Sequence, residues 1–75
     1  MAKRQIQLTE VEIRQFQQAE SQTRDVHELK RLQAIRMYGS GIRITSIMDI
    51  VGVGKSTIRQ WVMAYRAVGG FVALL

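Results

Sequence analysis

An all-α fold, a small bundle of about four helices, is what this sequence predicts, and three features carry the prediction. Apolar residues recur at spacings of three and four, the helical period. Six glycines, at positions 39, 41, 52, 54, 69 and 70, fall where helices would end, and no proline interrupts the segments between them. Apolar residues fill 47% of the 75 positions, enough for a packed core in a chain that buries only about 60% of its unfolded surface. The 75 residues are read as one domain. The absence of cysteine rules out a disulfide staple or a thiolate zinc site. No window approaches the ~18 consecutive apolar residues of a membrane span. The basic start, Met1 to Arg4, is broken up by Gln5, Gln7, Thr9 and Glu10 and is no signal peptide. A small cytoplasmic domain is expected.

The first helix is expected over about 9–21. Thr9 followed by Glu12 is a capping box, in which each side chain satisfies a free N–H of the first turn. Leu8 and Ile13 hold the hydrophobic-staple positions around it, and Ile13, Phe16 and Ala19 continue the apolar side. A three-helix unit is expected over about 24–69. Thr23 is read as the N-cap of its first helix, with Asp25 in the first turn, where the helix dipole favours negative charge. Val26, Leu29, Leu32, Ile35 and Tyr38 form the apolar face of that helix, leaving Lys30, Arg31 and Arg36 for the other side. Glycines at 39 and 41 stop it. A short apolar-rich segment follows from Ile44 to Val51, then Gly52-Val53-Gly54, then a longer helix from Lys55 to about Val68 in which Ile58, Trp61, Val62 and Tyr65 recur at spacings of three and four. Gly69-Gly70 ends this helix, and an apolar tail occupies 70–75.

Two helices joined by a three-residue, glycine-containing turn make a helix-turn-helix. With Gly52 as the turn glycine, the inward positions fall on Ile47, Val51, Val53, Ile58 and Trp61, all apolar. The outward face of the second helix then carries Lys55, Ser56, Arg59, Gln60 and Met63, with Arg66 one turn on. In this motif the start of the second helix enters the major groove of DNA. Arg and Gln side chains can pair with guanine and adenine edges respectively.

Charge points the same way. Eleven Lys and Arg against six Asp and Glu leave +5, with a pI near 10.5. Up to Asp25 the cations and acids balance. After it, seven cations face only Glu28 and Asp49, so the whole excess lies there. A polyanion partner explains this asymmetry, while solubility alone is the competing explanation. Lys55, Ser56, Arg59 and Gln60 are the candidate base or groove contacts, and Ser56 is also placed to meet phosphate. Arg43, Thr45, Thr57 and Arg66 are candidate phosphate contacts, and Lys30 is a weaker one. Trp61 is read as core, and the lone His27 as surface, with no metal or catalytic role.

The run from Gly41 to Gly70 resembles the N-terminal helix-turn-helix of bacterial insertion-sequence transposases of the mariner-like kind. That DNA-binding region belongs to the homeodomain-like and paired-domain-like three-helix group. The family's turn and helix start fall on Gly52, Val53, Gly54, Lys55, Ser56, Thr57 and Ile58, its Trp on Trp61, and its Tyr-Arg and glycine on Tyr65, Arg66 and Gly69. The leading segment from Leu8 to Gly41 is similar too. Three positions depart from the pattern. Met48 replaces a small Ala between the helices, Arg43 and Ser46 replace a capping box, and Gly54 replaces a capping Ser.

That last change creates a false motif, because Gly52-Val-Gly-Lys-Ser-Thr57 looks like the end of a P-loop. The full motif needs a glycine where Asp49 stands, a preceding strand, and a parallel sheet beyond. The resemblance instead implies double-stranded DNA as partner, with recognition of insertion-sequence ends by a transposase domain or a solo derivative. Members cut DNA with three carboxylates and two Mg²⁺ on a separate, larger domain, so this chain is expected to bind and not to catalyse, without cofactor, metal or small-molecule ligand. A small transcriptional repressor is the alternative within DNA binding, and a basic helical protein–protein adaptor the alternative outside it. The apolar ending reads as the edge of a fragment, as a short reading frame, or as Phe71, Leu74 and Leu75 packing on the core or on a second copy in a homodimer.

Overall fold

The computed structural model describes residues 6–68. The basic start, the Gly69-Gly70 stop and the apolar tail at 70–75 lie outside the described residues. Within them the chain forms four helices and no strand: α1 (Glu10–Gln22), α2 (Val26–Gly39), α3 (Ile44–Val51) and α4 (Lys55–Val68). The all-α expectation holds, with each helix close to its expected bounds.

The capping box at the start of α1 forms as expected. The Glu12 N–H donates to Thr9 Oγ1 at 3.2 Å, and the Thr9 N–H donates to Glu12 Oε1 at 3.0 Å. Leu8, assigned by sequence to a staple on Ile13, reaches across to α2. Its N–H donates to the Gly39 carbonyl at 3.1 Å, and its side chain fills the space that a Cβ on Gly39 would need.

The cap of α2 differs from the sequence reading. Asp25, not Thr23, is the N-cap, and its carboxylate accepts from the N–H groups of His27 and Glu28 at 2.8 and 3.3 Å. Thr23 closes α1 through its own N–H to the Ala19 carbonyl, and its hydroxyl accepts from the Asp25 N–H at 3.3 Å. The carboxylate serves two orphan N–H groups of the first turn, which one hydroxyl two residues earlier does not reach.

α2 is the central helix, packed against α1, α3 and α4. Its C-terminal half is covered on several sides, with Leu32, Ala34, Ile35, Met37 and Gly39 buried and Gln33, Arg36 and Tyr38 half-buried. The expected single apolar face is therefore corrected. Val26 is 65% exposed, whereas Ala34 and Met37, off the expected stripe, are inside. A helix surrounded by three others needs apolar residues all round, and one-sided periodicity fades in it.

α3 starts at Arg43 without a side-chain cap, as the missing capping box leads one to expect. It ends at Gly52, whose φ of 78° is a left-handed conformation that glycine adopts at little cost. Ile47 and Val51 of α3 are buried with Ile58, Val62 and Tyr65 of α4. Met48 packs half-buried against this core, and α3 and α4 remain in contact beside it. Trp61 and Val53, both read as inward, are only half-buried at the edge of the core. Val62, on the same apolar stripe, lies deeper at 1% exposed.

α1 completes the core from the other side. Phe16 is fully buried, and its ring lies 5.5 Å from that of Tyr65 at an interplanar angle of 52°, a tilted arrangement favoured by ring quadrupoles. The Tyr65 hydroxyl donates to Glu12 Oε2 at 3.2 Å. Further along, Arg36 of α2 donates to Glu20 of α1 through two nitrogens, Nε and Nη2, forming a part-buried ion pair. Arg36 is thus tied inward rather than left on a solvated face.

These ties set the protonation of both partners at Tyr65. The Thr9 backbone N–H, against some loss of hydration, and then the Thr9 and Tyr65 hydroxyls hold the Glu12 carboxyl below its ordinary value of 4.5. Burial first, and then the negative Glu12, push the Tyr65 hydroxyl up to about 12. Because the folded state lowers its pKa, Glu12 contributes stability above about 4.5, lost as pH falls through the lower folded value. Tyr65 behaves oppositely, contributing below about 10 and losing its contribution as pH rises through about 12. Urea unfolding followed across pH should therefore show a smaller acid loss for Glu12→Gln than for the wild type. Equal acid slopes would mean that Glu12 is no more tightly held in the folded state. A second expectation concerns Gly39. Alanine there should gain ~1 kcal/mol of helix propensity, yet its Cβ would collide with Leu8 Cγ and Cδ1, and the Leu8 backbone is held by its bond to the Gly39 carbonyl. Gly39→Ala should be net destabilising by ~1–3 kcal/mol; a gain in unfolding midpoint would show that Leu8 moves aside freely.

Candidate nucleic-acid interface

Three short segments build the exposed surface around the turn. The first is the entry to α3, where Arg43 and Thr45 are both exposed. The first-turn N–H groups of α3 have no side-chain cap there, so a partial positive charge is presented beside the Arg43 guanidinium. The second is the turn itself, Gly52 to Gly54. The third is the start of α4, which grows from Gly54 with the Ile58 N–H bonded to its carbonyl at 3.2 Å. Glycine carries no side chain to cap this turn, and the first amides of α4 are left to an outside acceptor.

The outer surface of α4 divides into strips. Each residue advances about 100° around a helix, and Ile58, Val62 and Tyr65 define the buried side. Ser56, Gln60 and Ala67 then point within roughly 30° of the opposite direction, with Met63 and Ala64 roughly 50° to either side. Lys55, Arg59 and Arg66 share one flank within roughly 40° of one another. Thr57 and Trp61, both half-buried, lie on the other flank. Lys55, Ser56, Arg59, Gln60, Met63, Ala64, Arg66 and Ala67 are all exposed.

The structure leaves Lys55, Ser56, Arg59, Gln60 and Arg66 exposed on α4 and sorts the candidates. Ser56 and Gln60 lie on the outward strip, Lys55, Arg59 and Arg66 beside it. Arg43 and Thr45 belong to the neighbouring start of α3. Thr57 is turned partly inward beside Trp61, and its hydroxyl is less available than that of Ser56. Lys30 is half-buried on α2, away from these segments in sequence. Among the described residues the ion pair formed is that of Arg36 with Glu20, so the cations of α4 keep their charge for a partner outside the chain. What the sequence reading missed is this selective neutralisation. Arg36 counts toward the +5 but is spent inside the fold. A contact between residues 16 positions apart leaves no periodic trace.

Other chemistries find less here. The P-loop-like run from Gly52 to Thr57 is a helix cap, a turn and the first turn of α4, and a helix precedes it where the nucleotide motif requires a strand. Among the described residues no group of three or more His, Cys, Asp or Glu could hold a metal ion. His27 is exposed. No helix among them is long and apolar enough to cross a membrane.

Comparison with known proteins agrees with this geometry. A family model described as a helix-turn-helix domain matches residues 30–75. No curated protein and no solved structure matches the chain. The match begins inside α2 and takes in α3, the turn and α4, while α1 precedes it. It spans more than half of the 75 residues, and the chain belongs to this helix-turn-helix family, a DNA-binding one.

Proposed function

We propose that the chain binds double-stranded DNA sequence-specifically, with α4 as recognition helix, and that its role is to recognise the ends of an insertion sequence as a transposase DNA-binding domain or a solo derivative of one. The observation that carries the reading is the exposed outer surface of α4, where Gln60 and Ser56 lie beside the unpaired cations Lys55, Arg59 and Arg66. The resemblance of residues 41–70 to transposase helix-turn-helix regions supports the finer role. In this reading Gln60 and Arg59 read base edges, and Lys55 and Ser56 enter the groove with them. Arg43, Thr45, Thr57 and Arg66 hold phosphates. Gln60 faces the groove directly, and Arg59 reaches in from the flank.

Strand cleavage is not part of the proposed role. Asp25 caps α2, Glu12 caps α1 and holds Tyr65, and Glu20 pairs with Arg36. These carboxylates are committed to the fold, and the chain acts as a binding module. A protein–protein adaptor is less well supported, because a helix docking on another protein or on lipid needs large apolar residues on its exposed face, and α4 offers only Met63 and two alanines.

Selection of bound sequences from a random duplex library tests the proposal. Recovery of one defined site that recurs at both ends of a mobile element encoding the chain is the expected result. A site found only upstream of genes would favour a repressor, and no enrichment would remove sequence-specific binding. On the selected site, Arg59→Ala should cost ~1–3 kcal/mol and relax preference at one base pair; a uniform loss over all sequences would make Arg59 a phosphate contact. Affinity should also fall with salt, with a log–log slope of about −0.9 per phosphate neutralised. Salt-independent binding would contradict the role given to the cationic flank.

A further inference from the structure

We infer that Met63 is a specificity-determining residue, reading a thymine through the methyl group on its major-groove edge; the inference rests on the proposed binding of duplex DNA by α4. Met63 is 59% exposed, the large apolar side chain on the polar and small-residue outer surface of α4. Its position explains the choice. Ser56, Gln60, Met63 and Ala67 follow one another at steps of four, three and four along α4, which keeps them on one outward strip. Ser56 and Gln60 supply hydrogen-bonding groups early on the strip, and beyond them come Met63 and two alanines. Ala64 and Ala67 are exposed and short, so Met63 is open on their side, with Arg59, Gln60 and Arg66 as its long neighbours at i−4, i−3 and i+3.

The chemistry of the groove supplies a matching group. Thymine alone among the four bases presents a methyl there, and apolar side chains recognise it by contact. Methionine suits the task, being unbranched, flexible and polarisable, and able to cover a methyl without a fixed geometry. A polar residue in its place would gain hydrogen bonds but lose this discrimination. Burying one methyl-sized group is worth roughly a fourfold change in affinity.

The test removes the two partners separately. The site enriched by the wild-type chain is resynthesised with each thymine in turn replaced by deoxyuridine, which lacks only the methyl, and binding is measured for wild type and Met63→Ala. Circular dichroism confirms that the variant is folded. The expected result is that at one thymine the replacement weakens wild-type binding about fourfold and leaves Met63→Ala nearly unaffected. Uridine tolerated at every position by the wild type would overturn the inference while leaving DNA binding intact. So would an equal loss for both proteins, because the methyl would then be read by another residue. A wild-type chain that enriches no duplex would overturn the binding reading, and this inference with it.

Discussion

Tyr65 is gripped by α1 from two directions, and the placing of α4 depends on that grip. Its ring leans on the buried Phe16 and its hydroxyl donates to Glu12. α4 has one buried side, formed by Ile58, Val62 and Tyr65. The first two residues belong to the core shared with α2 and α3, while Tyr65 brings in a fourth wall. The hydroxyl would be costly to bury without a partner, and the carboxylate of Glu12 supplies one. This arrangement fixes which side of α4 faces in, and therefore which residues face out. Rotation of the helix by one residue would turn Gln60 off the outward strip.

The family match begins within α2, yet the core does not. Phe16 is among the most deeply buried side chains, and Glu20 neutralises Arg36 of the central helix. A helix-turn-helix alone offers little apolar surface, and a short chain gains much from any helix laid against it. α1 serves as that added wall. By pairing with Arg36 it also satisfies a cation whose side chain is only 24% exposed, where an unpaired charge would destabilise the fold.

Helix ends were legible in the sequence because local chemistry sets them. The Thr9 and Glu12 capping box, the glycine at 52 and the uncapped start at Arg43 are decided by residues within a turn of one another. The core of α3 and α4 was legible for a similar reason, since apolar spacing reports directly on a helix with one buried side. The errors arose where neighbours distant in sequence decide the outcome. Thr23 and Asp25 are both good caps, and only the folded loop shows which one reaches two N–H groups. Met37 and Ala34 are buried because α2 has partners on several sides. Trp61 and Val62 both lie on the stripe read from the sequence, and Val62 is the deeper because periodicity gives a direction but not the width of the buried arc. The exposure of Lys55, Ser56, Arg59 and Gln60 was legible in the helical period, but not the division of that surface into an outward strip and a cationic flank.

The Glu12 carboxylate ends one structure and anchors another. One oxygen accepts the Thr9 N–H at the start of α1, and the other accepts the Tyr65 hydroxyl on α4. Helix termini ordinarily fray with little effect on the rest of a protein. Here the first turn of α1 cannot open without releasing the carboxylate that Tyr65 uses. Fraying at the one helix therefore removes a hydrogen bond from the other. One carboxylate thus joins the first turn of α1 to the buried side of α4.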